Sequence, residues 1–454
     1  MVISKTMMQF DTKSSLDIEK SVAQFSLYSD QVQDLLLRIC NGESNIFPEG
    51  LISSTINGNA AAALRRLVPI QIRKKLGLFF TDTYLSDNVA KILAPYLRKN
   101  SKILDPACGS GNLLLSCAKH LEIGKNLNHT LSIWSDKIIG YDLYDEFIRA
   151  AKLRLIALAI SYHLDEIEEI NYLNIDCLFN KLKTCNFFSQ LNFNEIDCIV
   201  VNPPFGQEFA PDGCVWGSGM VQMAALFFEK LIRIAHKDMR IVAILPDVLR
   251  SGTRYKKWRS MISSSCSSIE ISAGGRFDKT TDVDVFVLHA VLGRPIEIFS
   301  EWNFSQSRDN SSQQVVNDYF NVRVGTVVPH RDPLVGPVYP YIYARSAPSG
   351  KILCHIGEFR PFSGTVFRPP FVVLHRTSSP HDRSRCIATI VNLDQEVAVE
   401  NHLIVFTPHD SSIDSCKKLL DILQSKQSSE WLNSRIRCRH LTVSSLRELP
   451  WFDV

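Results

Sequence analysis

Between Gly77 and about Gly293 the chain alternates short apolar runs with longer segments whose apolar residues recur at helical spacing. The runs are typical of buried parallel strands, and the longer segments are typical of amphipathic helices. In chain order the pattern predicts strands at Ser101–Asp105, Lys137–Asp142, Glu195–Val201, Arg240–Pro246 and Val283–Leu292, and helices up to about Leu121, over Glu146–Ile160 and over Met223–Ala235. This order predicts an α/β fold in which a doubly wound parallel sheet carries helices on both faces.

The regions before Gly77 and after about Gly293 do not show this alternation of strands and helices. Before Gly77, apolar spacing predicts a helix over Ser15–Cys40 and turn residues predict a loop over Asn41–Gly58. A polar stretch, Ser305–Gln314, precedes short β-like runs rich in Gly, Pro and aromatic residues, with one helix near Ser412–Gln424. The predicted regions are a helical accessory region over 1–76, a central domain over 77–299 and a mixed α+β domain over 300–454.

Composition narrows the class of protein. The 454 residues are 45% hydrophobic and 21% charged, with 50 Lys+Arg against 47 Asp+Glu. Such values predict a folded chain and exclude a disordered or strongly basic tail protein. The 12 cysteines are scattered, form no C-x-x-C pair, and suit a reducing compartment. No signal peptide opens the sequence and no apolar run is long enough to span a membrane, so we expect a cytoplasmic protein without a membrane partner.

A glycine-rich loop follows the first predicted strand of the central domain. It reads D-P-A-C-G-S-G over Asp105–Gly111, and the next strand ends at Asp142 in G-Y-D. A loop of this kind before a helix can cradle a nucleotide-like ligand, and a carboxylate at the next strand end can bind ribose hydroxyls. It lacks the Lys-Ser/Thr of a phosphate-binding loop. The alternative is a tight strand–helix turn without a ligand.

The tetrapeptide N-P-P-F, Asn202–Phe205, follows the predicted strand Glu195–Val201. The carboxyl ends of strands are where open α/β sheets place their ligands. An exocyclic amino group could donate one hydrogen bond to the Asn202 side chain and one to the Pro203 carbonyl, which would concentrate its lone pair for attack on a methyl group. Phe205 could stack on the base. The alternative is a proline-rich turn without chemistry.

These motifs, in this order, resemble those of N6-adenine DNA methyltransferases of the gamma order, as in type I and type II restriction-modification systems. The pieces that carry the resemblance are G-L-F-F-T at 77–81, the loop at 105–111, G-Y-D at 140–142, N-I-D at 174–176, N-P-P-F at 202–205, A-I-L-P-D-V-L-R-S-G at 243–252 and R-F-D-K-T-T-D-V-D-V-F-V-L at 276–288. The resemblance implies a Rossmann-like, S-adenosyl-L-methionine-dependent methyltransferase sheet with an antiparallel last strand.

The resemblance also implies roles for individual residues. Phe80 and Thr81 would lie near the methionine end of S-adenosyl-L-methionine. The residues of the glycine-rich loop expected to line its amino-acid part are Asp105, Ala107, Gly109 and Gly111. Asp142 would bind the ribose, Asp176 would meet the cofactor's adenine, and Asn202 would border the cofactor. The residues expected to hold the target adenine are Asn202, Pro203, Pro204, Phe205 and Phe277. No metal site is expected.

The resemblance implies that the target adenine is flipped out of double-stranded DNA, because a stacked base cannot reach a buried cofactor. The region after residue 300 would then be the target recognition domain, and its arginines suit contacts with bases or phosphates. The arginines and tyrosines noted there are Arg345, Arg376, Arg383, Arg385, Arg435, Arg437, Arg439, Tyr339, Tyr341 and Tyr343.

Such a protein would be the modification component of a restriction-modification or phage-defence system, with a cognate restriction endonuclease or defence subunits as partners. Two alternatives remain at this point. One is a methyltransferase that acts on RNA or on a protein glutamine amide. The other is a non-catalytic DNA-binding subunit that retains the fold.

Overall fold

The computed structural model describes residues 12–40, 48–97, 101–164, 177–189, 193, 195–277, 283–295, 302, 304, 314–380, 382 and 384–452. The chain divides into two compact units. The first comprises residues 1–249 and 254–301, and the second comprises residues 250–253 and 302–454. No helix in the described ranges is long and apolar enough to cross a membrane.

A seven-stranded sheet forms the centre of the first unit. The strands of this unit are β1 (Ile103–Asp105), β2 (Ile138–Asp142), β3 (Leu182–Thr184), β4 (Cys198–Val201), β5 (Gln207–Phe209), β6 (Met220–Gln222), β7 (Arg240–Pro246), β8 (Cys266–Arg276) and β9 (Asp284–Leu292). The sheet order is β3-β2-β1-β4-β7-β9-β8, and β5 pairs with β6 in a separate hairpin. The first five strands of the sheet run parallel, while β9 is antiparallel to both β7 and β8. The last of these strands in chain order, β9, is therefore antiparallel to its neighbours, and the predicted α/β class is confirmed.

The sheet order brings the predicted motifs to one edge. Strand β1 pairs with β2 on one side and with β4 on the other, and both pairings are parallel. Parallel strands end at the same edge of a sheet, and the crevice where the strand order reverses is where such folds bind ligands. Asp105 ends β1, Asp142 ends β2 and Asn202 follows β4. Sequence-distant motifs thus meet at the carboxyl edge.

Twelve helices are described in the first unit or start in it. They are α1 (Thr12–Ala23), α2 (Ser26–Cys40), α3 (Pro48–Ile56), α4 (Asn59–Leu67), α5 (Ile70–Leu76), α6 (Thr83–Leu93), α7 (Asn112–Ala118), α8 (Leu127–Lys137), α9 (Asp145–Ser161), α10 (Met223–Ile234), α11 (Asp247–Ser251) and α12 (Lys256–Ser265). Buried apolar residues of α1–α6 share one continuous core with those of α7–α9 and of the sheet. Helix α9 is buried along most of its length, and it lies against both α2 and α3.

Several elements differ from the sequence prediction. The single helix expected over Ser15–Cys40 is two helices, because bonds from Phe25 to Val22 and from Tyr28 to Phe25 tighten the chain into a turn between them. The loop expected over Asn41–Gly58 is wrong for α3, which begins at Pro48, a residue suited to a first helical turn. Residues 41–47, and the polar stretch at 305–313, lie outside the described residues.

Strands β3 and β8 and helix α8 were not predicted. Both strands are at sheet edges, where exposure interrupts the apolar pattern: β3 has one buried residue, and β8 is rich in Ser and Gly. Helix α8 lies in a stretch that looks polar. Its buried residues Leu127, Leu131 and Trp134 nevertheless follow helical spacing, and the Asn126 side chain caps it by accepting from His129 N–H at 2.9 Å.

The second unit has mixed sheets and helices of its own. Its elements are α13 (Val316–Tyr319), β10 (Phe320–Val324), β11 (Val338–Ile342), β12 (Ile352–Leu353), β13 (Phe359–Pro361), β14 (Phe371–His375), β15 (Ala388–Val391), β16 (Ala398–Val399), β17 (Leu403–Pro408), α14 (Ile413–Gln424), α15 (Lys426–Arg435) and α16 (Val443–Arg447). Five strands form the sheet β10-β17-β14-β15-β12, and three form β13-β11-β16. The helix predicted near Ser412–Gln424 is present, with Ser412 as its N-cap.

One of the arginines expected to contact DNA, Arg385, stabilises the fold of the second unit. Arg385 is fully buried, and its guanidinium donates to the carbonyl oxygens of Ser378, Ile436 and Cys438. It therefore holds the segment after α15 to the strand region and cannot contact a ligand from this position.

Tyr341 and Tyr343 stack with ring centroids 5.7 Å apart, and the Arg360 guanidinium lies 5.6 Å from the Tyr341 ring.

Candidate active site

A cavity of about 270 Å³ lies at the carboxyl edge of the first sheet. It is lined by the segment after α5, the glycine-rich loop, the end of β2, the segment after β3 and the segment after β4, together with residues of α9, β5 and α10. A smaller recess of about 30 Å³ shares Phe79, Phe80, Ala107, Gly109 and Asn202 with it. Four of the motifs noted in the sequence, at 77–81, 105–111, 140–142 and 202–205, thus contribute to one site.

Two carboxylates accept hydrogen bonds from backbone N–H groups of the glycine-rich loop. Asp105 is buried, borders the smaller recess and accepts a hydrogen bond from Ala107 N–H at 3.1 Å. Asp142 lines the larger cavity and accepts from Gly109 N–H at 2.9 Å and from Tyr144 N–H at 3.1 Å. These bonds fix the Asp142 carboxylate at the end of β2 and join it to the loop after β1.

Gly109 and Gly111 of the loop allow two different close contacts. Gly109 has a φ of +51°, and a Cβ there would lie 2.8 Å from Cε1 of Phe80. Gly111 has a φ of +83°, starts α7 and lies against Ala151 of α9, where a Cβ would come within 3.0 Å. Gly109 therefore lets the loop approach the cavity wall, whereas Gly111 lets α7 pack against α9.

Burial shifts the titration of both carboxyls. Burial raises the pKa of Asp105 well above its usual range, and the nearby Asp142 charge raises it further against the Ala107 hydrogen bond. Burial also raises the pKa of Asp142 to about 6, although the N–H groups of Tyr144 and Gly109 favour its ionised form. Two carboxyls with raised pKa values, one at each of two recesses that share lining residues, are suited to a ligand that brings hydrogen-bond donors or positive charge.

Asn202 lies between the two recesses with its amide held in one orientation. Its Nδ2 donates to the Phe79 carbonyl oxygen at 3.3 Å and to Thr81 Oγ1 at 3.1 Å. Its Oδ1 is buried and has no hydrogen-bond partner among the described residues. Buried polar atoms are nearly always paired, so an unpaired acceptor beside a cavity indicates that a ligand supplies the donor.

The other residues of the N-P-P-F motif surround Asn202. Pro204 lines the larger cavity, and Pro203 is buried. The ring of Phe205 meets that of Phe277 at a centroid distance of 5.0 Å, with the planes 66° apart. Gly77 lies against this motif, since a Cβ there would come within 2.8 Å of Phe205 N. The structure therefore brings together the predicted Phe205 and Phe277, edge to face.

The cavity has an aromatic wall that sequence reasoning missed in part. The rings of Phe80 and Phe147 meet edge to face with centroids 5.1 Å apart. The ring of Phe25, from the accessory region, contacts both edge to face, at centroid distances of 5.7 and 5.1 Å. On another side, Phe187 stacks on Phe227 at 4.3 Å. Further lining residues that the sequence analysis did not single out are Leu78, Tyr144, Phe147, Asn186, Phe187, Phe188, Glu208, Met223 and Phe227. A signal was present in the aromatic pair Phe187–Phe188, but it follows the unpredicted strand β3.

One predicted residue cannot be placed. Asp176, with the rest of N-I-D at 174–176, lies outside the described residues. The predicted residues that line one or both recesses are Phe80, Thr81, Asp105, Ala107, Gly109, Asp142, Asn202 and Pro204. Pro203, Phe205 and Phe277 line neither recess, and Gly111 serves the packing of α7.

Comparison with known proteins agrees with the motifs. Residues 66–233 match the family model N-6 DNA Methylase. The methylase subunit of the type I restriction enzyme MpnII from Mycoplasma pneumoniae is 26% identical over 187 residues, or 41% of this chain and 32% of that subunit. These matches confirm the resemblance to N6-adenine DNA methyltransferases of restriction-modification type.

Two further comparisons concern a relative that is a tRNA-modifying enzyme and a solved structure with a similar fold. The "Probable tRNA (guanine(10)-N2)-dimethyltransferase" of Methanothermococcus thermolithotrophicus is 27% identical over 110 residues, 24% of this chain and 54% of that protein. The two curated relatives are thus matched over about a third and about half of their own length. The type IIL restriction-modification enzyme MmeI, solved in complex with DNA, superposes with a TM-score of 0.53 at 12% identity, covering 87% of this chain and 71% of that one. This last likeness shows a shared fold.

Proposed function

Taking residues 66–233 as an N-6 DNA methylase domain, we propose that the protein is a site-specific DNA adenine-N6 methyltransferase dependent on S-adenosyl-L-methionine. The observation that carries the proposal is the unpaired, buried Oδ1 of Asn202, which is fixed beside a cavity of about 270 Å³. An acceptor held in this way suits the amino group of an adenine better than a carbonyl or a phosphate, because those groups accept hydrogen bonds and cannot donate them.

The residues present fit the cofactor. Gly109 leaves room where a side chain would collide with Phe80, and the aromatic wall offers Phe147 and Phe187 to a nucleobase. The Asp142 carboxylate would accept the ribose hydroxyls, as in other nucleoside-binding α/β folds. Buried Asp105 would face the charged amino-acid part. When bound, the cofactor would supply a methyl group on a positively charged sulfur.

The chain's own contribution is positioning and hydrogen bonding. Asn202 Oδ1 would accept from the adenine amino group, and the Pro203 carbonyl would accept its second N–H. Both bonds would favour a nitrogen whose lone pair is free for attack. Holding the reacting atoms in line can supply about 7–11 kcal/mol of the barrier reduction. Phe205, with Phe277 against it, would contact the base.

The proposed substrate is double-stranded DNA, from which the adenine must be extruded to reach Asn202. A net charge of +3 offers no diffuse positive field, so phosphate binding would rest on local groups. Arg65, Arg66, Lys74 and Lys75 are exposed in α4 and α5, whereas Arg73 of the same stretch is buried and donates to the Val68 carbonyl oxygen. The second unit would read the sequence, and partners would be a cognate restriction endonuclease or defence subunits in the cytoplasm.

Acceptor competition tests the proposal. The protein is incubated with labelled S-adenosyl-L-methionine and equal masses of mixed-sequence duplex DNA, structured RNA and a protein pool. The expected result is label in DNA. Label confined to RNA would support an RNA substrate, to which the tRNA enzyme match also points, and label in protein would support a glutamine amide. Strong DNA binding with no transfer to any acceptor would support a non-catalytic subunit.

A further inference from the structure

Arg154 is a buried arginine behind the glycine-rich loop. It lies in α9, is 1% exposed, and each of its three guanidinium nitrogens donates a hydrogen bond. Nε donates to the Thr55 carbonyl oxygen at 3.1 Å, and Nη2 donates to that of Ile56 at 2.9 Å. Nη1 donates to the Ser110 carbonyl oxygen at 2.6 Å and to Asn112 Oδ1. No carboxylate forms an ion pair with it among the described residues.

Such a site is costly for a residue that only joins two segments. A buried charge without a partner of opposite charge is strongly disfavoured, and hydrogen bonds to carbonyls offset part of that cost. Thr55 and Ile56 end helix α3, where carbonyl oxygens carry partial negative charge and lack helical partners. Neutral donors could tie α3 to the loop without this penalty, so a role that needs the chemistry of arginine is indicated.

The distinctive property of arginine here is that its guanidinium group cannot accept a hydrogen bond. Arginine has only donors, so the Asn112 amide must turn its oxygen toward Arg154 and its nitrogen away. The Asn112 Nδ2 then donates to the Thr81 carbonyl oxygen. Thr81 is buried, and its Oγ1 accepts from Nδ2 of Asn202 at 3.1 Å. A continuous chain of hydrogen bonds and covalent links thus runs from Arg154 to the amide of Asn202.

We infer that Arg154 is a positioning residue that, through Asn112 and Thr81, holds the Asn202 amide with Oδ1 toward the substrate. The guanidinium donates to carbonyl oxygens at the C-terminal end of α3. The accessory helices before residue 77 therefore help to orient the Asn202 amide. The inference rests on the proposed function for its effect on catalysis, and on hydrogen-bond geometry for the chain itself.

The first test is Asn112→Asp. A carboxylate would pair with Arg154, so the fold should be as stable as the wild type or more stable. It offers no donor to the Thr81 carbonyl, so the chain to Asn202 is broken. We expect an unchanged or raised melting temperature, cofactor affinity within a few fold, and kcat about 10- to 100-fold lower, the loss typical of a small misplacement. A wild-type kcat in this folded variant would overturn the inference.

A second pair of variants avoids the arginine altogether. Thr81→Val has nearly the same shape but lacks the acceptor for Asn202, whereas Thr81→Ser keeps it. We expect kcat to fall in Thr81→Val and to recover in Thr81→Ser, with KM for DNA unchanged in both. Equal kcat values would contradict the chain. Ser116→Ala is the matched control, since Ser116 lies on α7 with Asn112 but donates to Asp87 at 2.7 Å, outside the chain. Its kcat should match the wild type.

A spectroscopic readout separates this inference from the proposed function. The side-chain amide of Asn202, labelled with ¹⁵N and assigned by its loss in Asn202→Ala, should shift in Asn112→Asp and Thr81→Val but not in Ser116→Ala. If the wild type transfers methyl groups to no acceptor, the proposed function fails while these shifts still report on the chain. If the wild type is active and the amide does not shift, the positioning role fails alone.

Discussion

The raised pKa of Asp142 gives cofactor affinity a pH dependence. Its carboxylate accepts hydrogen bonds from Gly109 and Tyr144, and burial raises its pKa to about 6. Ribose hydroxyls would donate to the ionised form. Binding should therefore be fully present above this pKa and be lost as the pH falls through it, because a proton on Asp142 must be released before the hydroxyls can bind.

The magnitude follows from the ionised fraction. With a pKa of about 6, that fraction is roughly 90% at pH 7 and roughly 10% at pH 5, so the affinity should fall about tenfold between them. Isothermal titration calorimetry with a non-reactive cofactor analogue measures this directly. At pH 5, binding should release close to one proton, and the apparent enthalpy should change with the ionisation enthalpy of the buffer.

Three variants identify the titrating group. Asp142→Asn should bind weakly with a flat profile from pH 5 to 7. Asp105→Asn, which keeps an oxygen for Ala107 N–H, should retain the wild-type slope. Asp145→Asn is the matched surface control, since Asp145 is exposed and accepts from Thr184 Oγ1 at 3.0 Å. The reasoning is refuted if the wild-type affinity is constant over this range, or if the slope disappears in Asp105→Asn and persists in Asp142→Asn.

Three further predictions concern the residues around the cavity. Asn202→Ala should bind the cofactor within a few fold of the wild type but lower the transfer rate about 10²- to 10³-fold, as for other lost transition-state hydrogen bonds; a rate within tenfold would contradict the assignment. Gly109→Ala should weaken cofactor binding and cost about 1–3 kcal/mol of unfolding free energy, measured by urea denaturation, because its φ of +51° is strained and its Cβ would strike Phe80. Phe277→Leu should reduce the fluorescence rise of a 2-aminopurine placed at the target base, without changing cofactor affinity, because the ring supports Phe205; an unchanged rise would argue that Phe277 is only core.

The strands of the sheet interior could be predicted because burial on both faces leaves a nearly continuous apolar pattern. Strand β7 begins and ends where expected, at Arg240 and Pro246, and six of its residues are buried. Edge strands lack this constraint, which is why β3 and β8 were missed. The motifs at the ends of β1, β2 and β4 could likewise be linked, since parallel strands of one sheet end together.

What the sequence could not predict is the support behind those motifs. Arg154 stands in an apolar helical run, L-R-L-I-A-L-A, and its spacing from Asn112 and Thr81 in sequence says nothing of their contact. A hydrogen-bond chain of this kind depends on how α3, α7 and α9 pack. The same holds for Phe25, which reaches the cavity wall only because the predicted single helix is broken just before α2. Arg385 shows the converse, since an arginine suggestive of DNA contact is a buried structural donor.

The central claim is transfer to the amino group of adenine at a defined DNA site by way of Asn202. Single-molecule sequencing of genomic DNA from cells that express the protein, compared with cells that express Asn202→Ala, tests it most directly. The account predicts N6-methyladenine at one recurring sequence with the wild type and none above background with the variant. No methylated adenine in the wild-type cells, or equal methylation with both proteins, would contradict it.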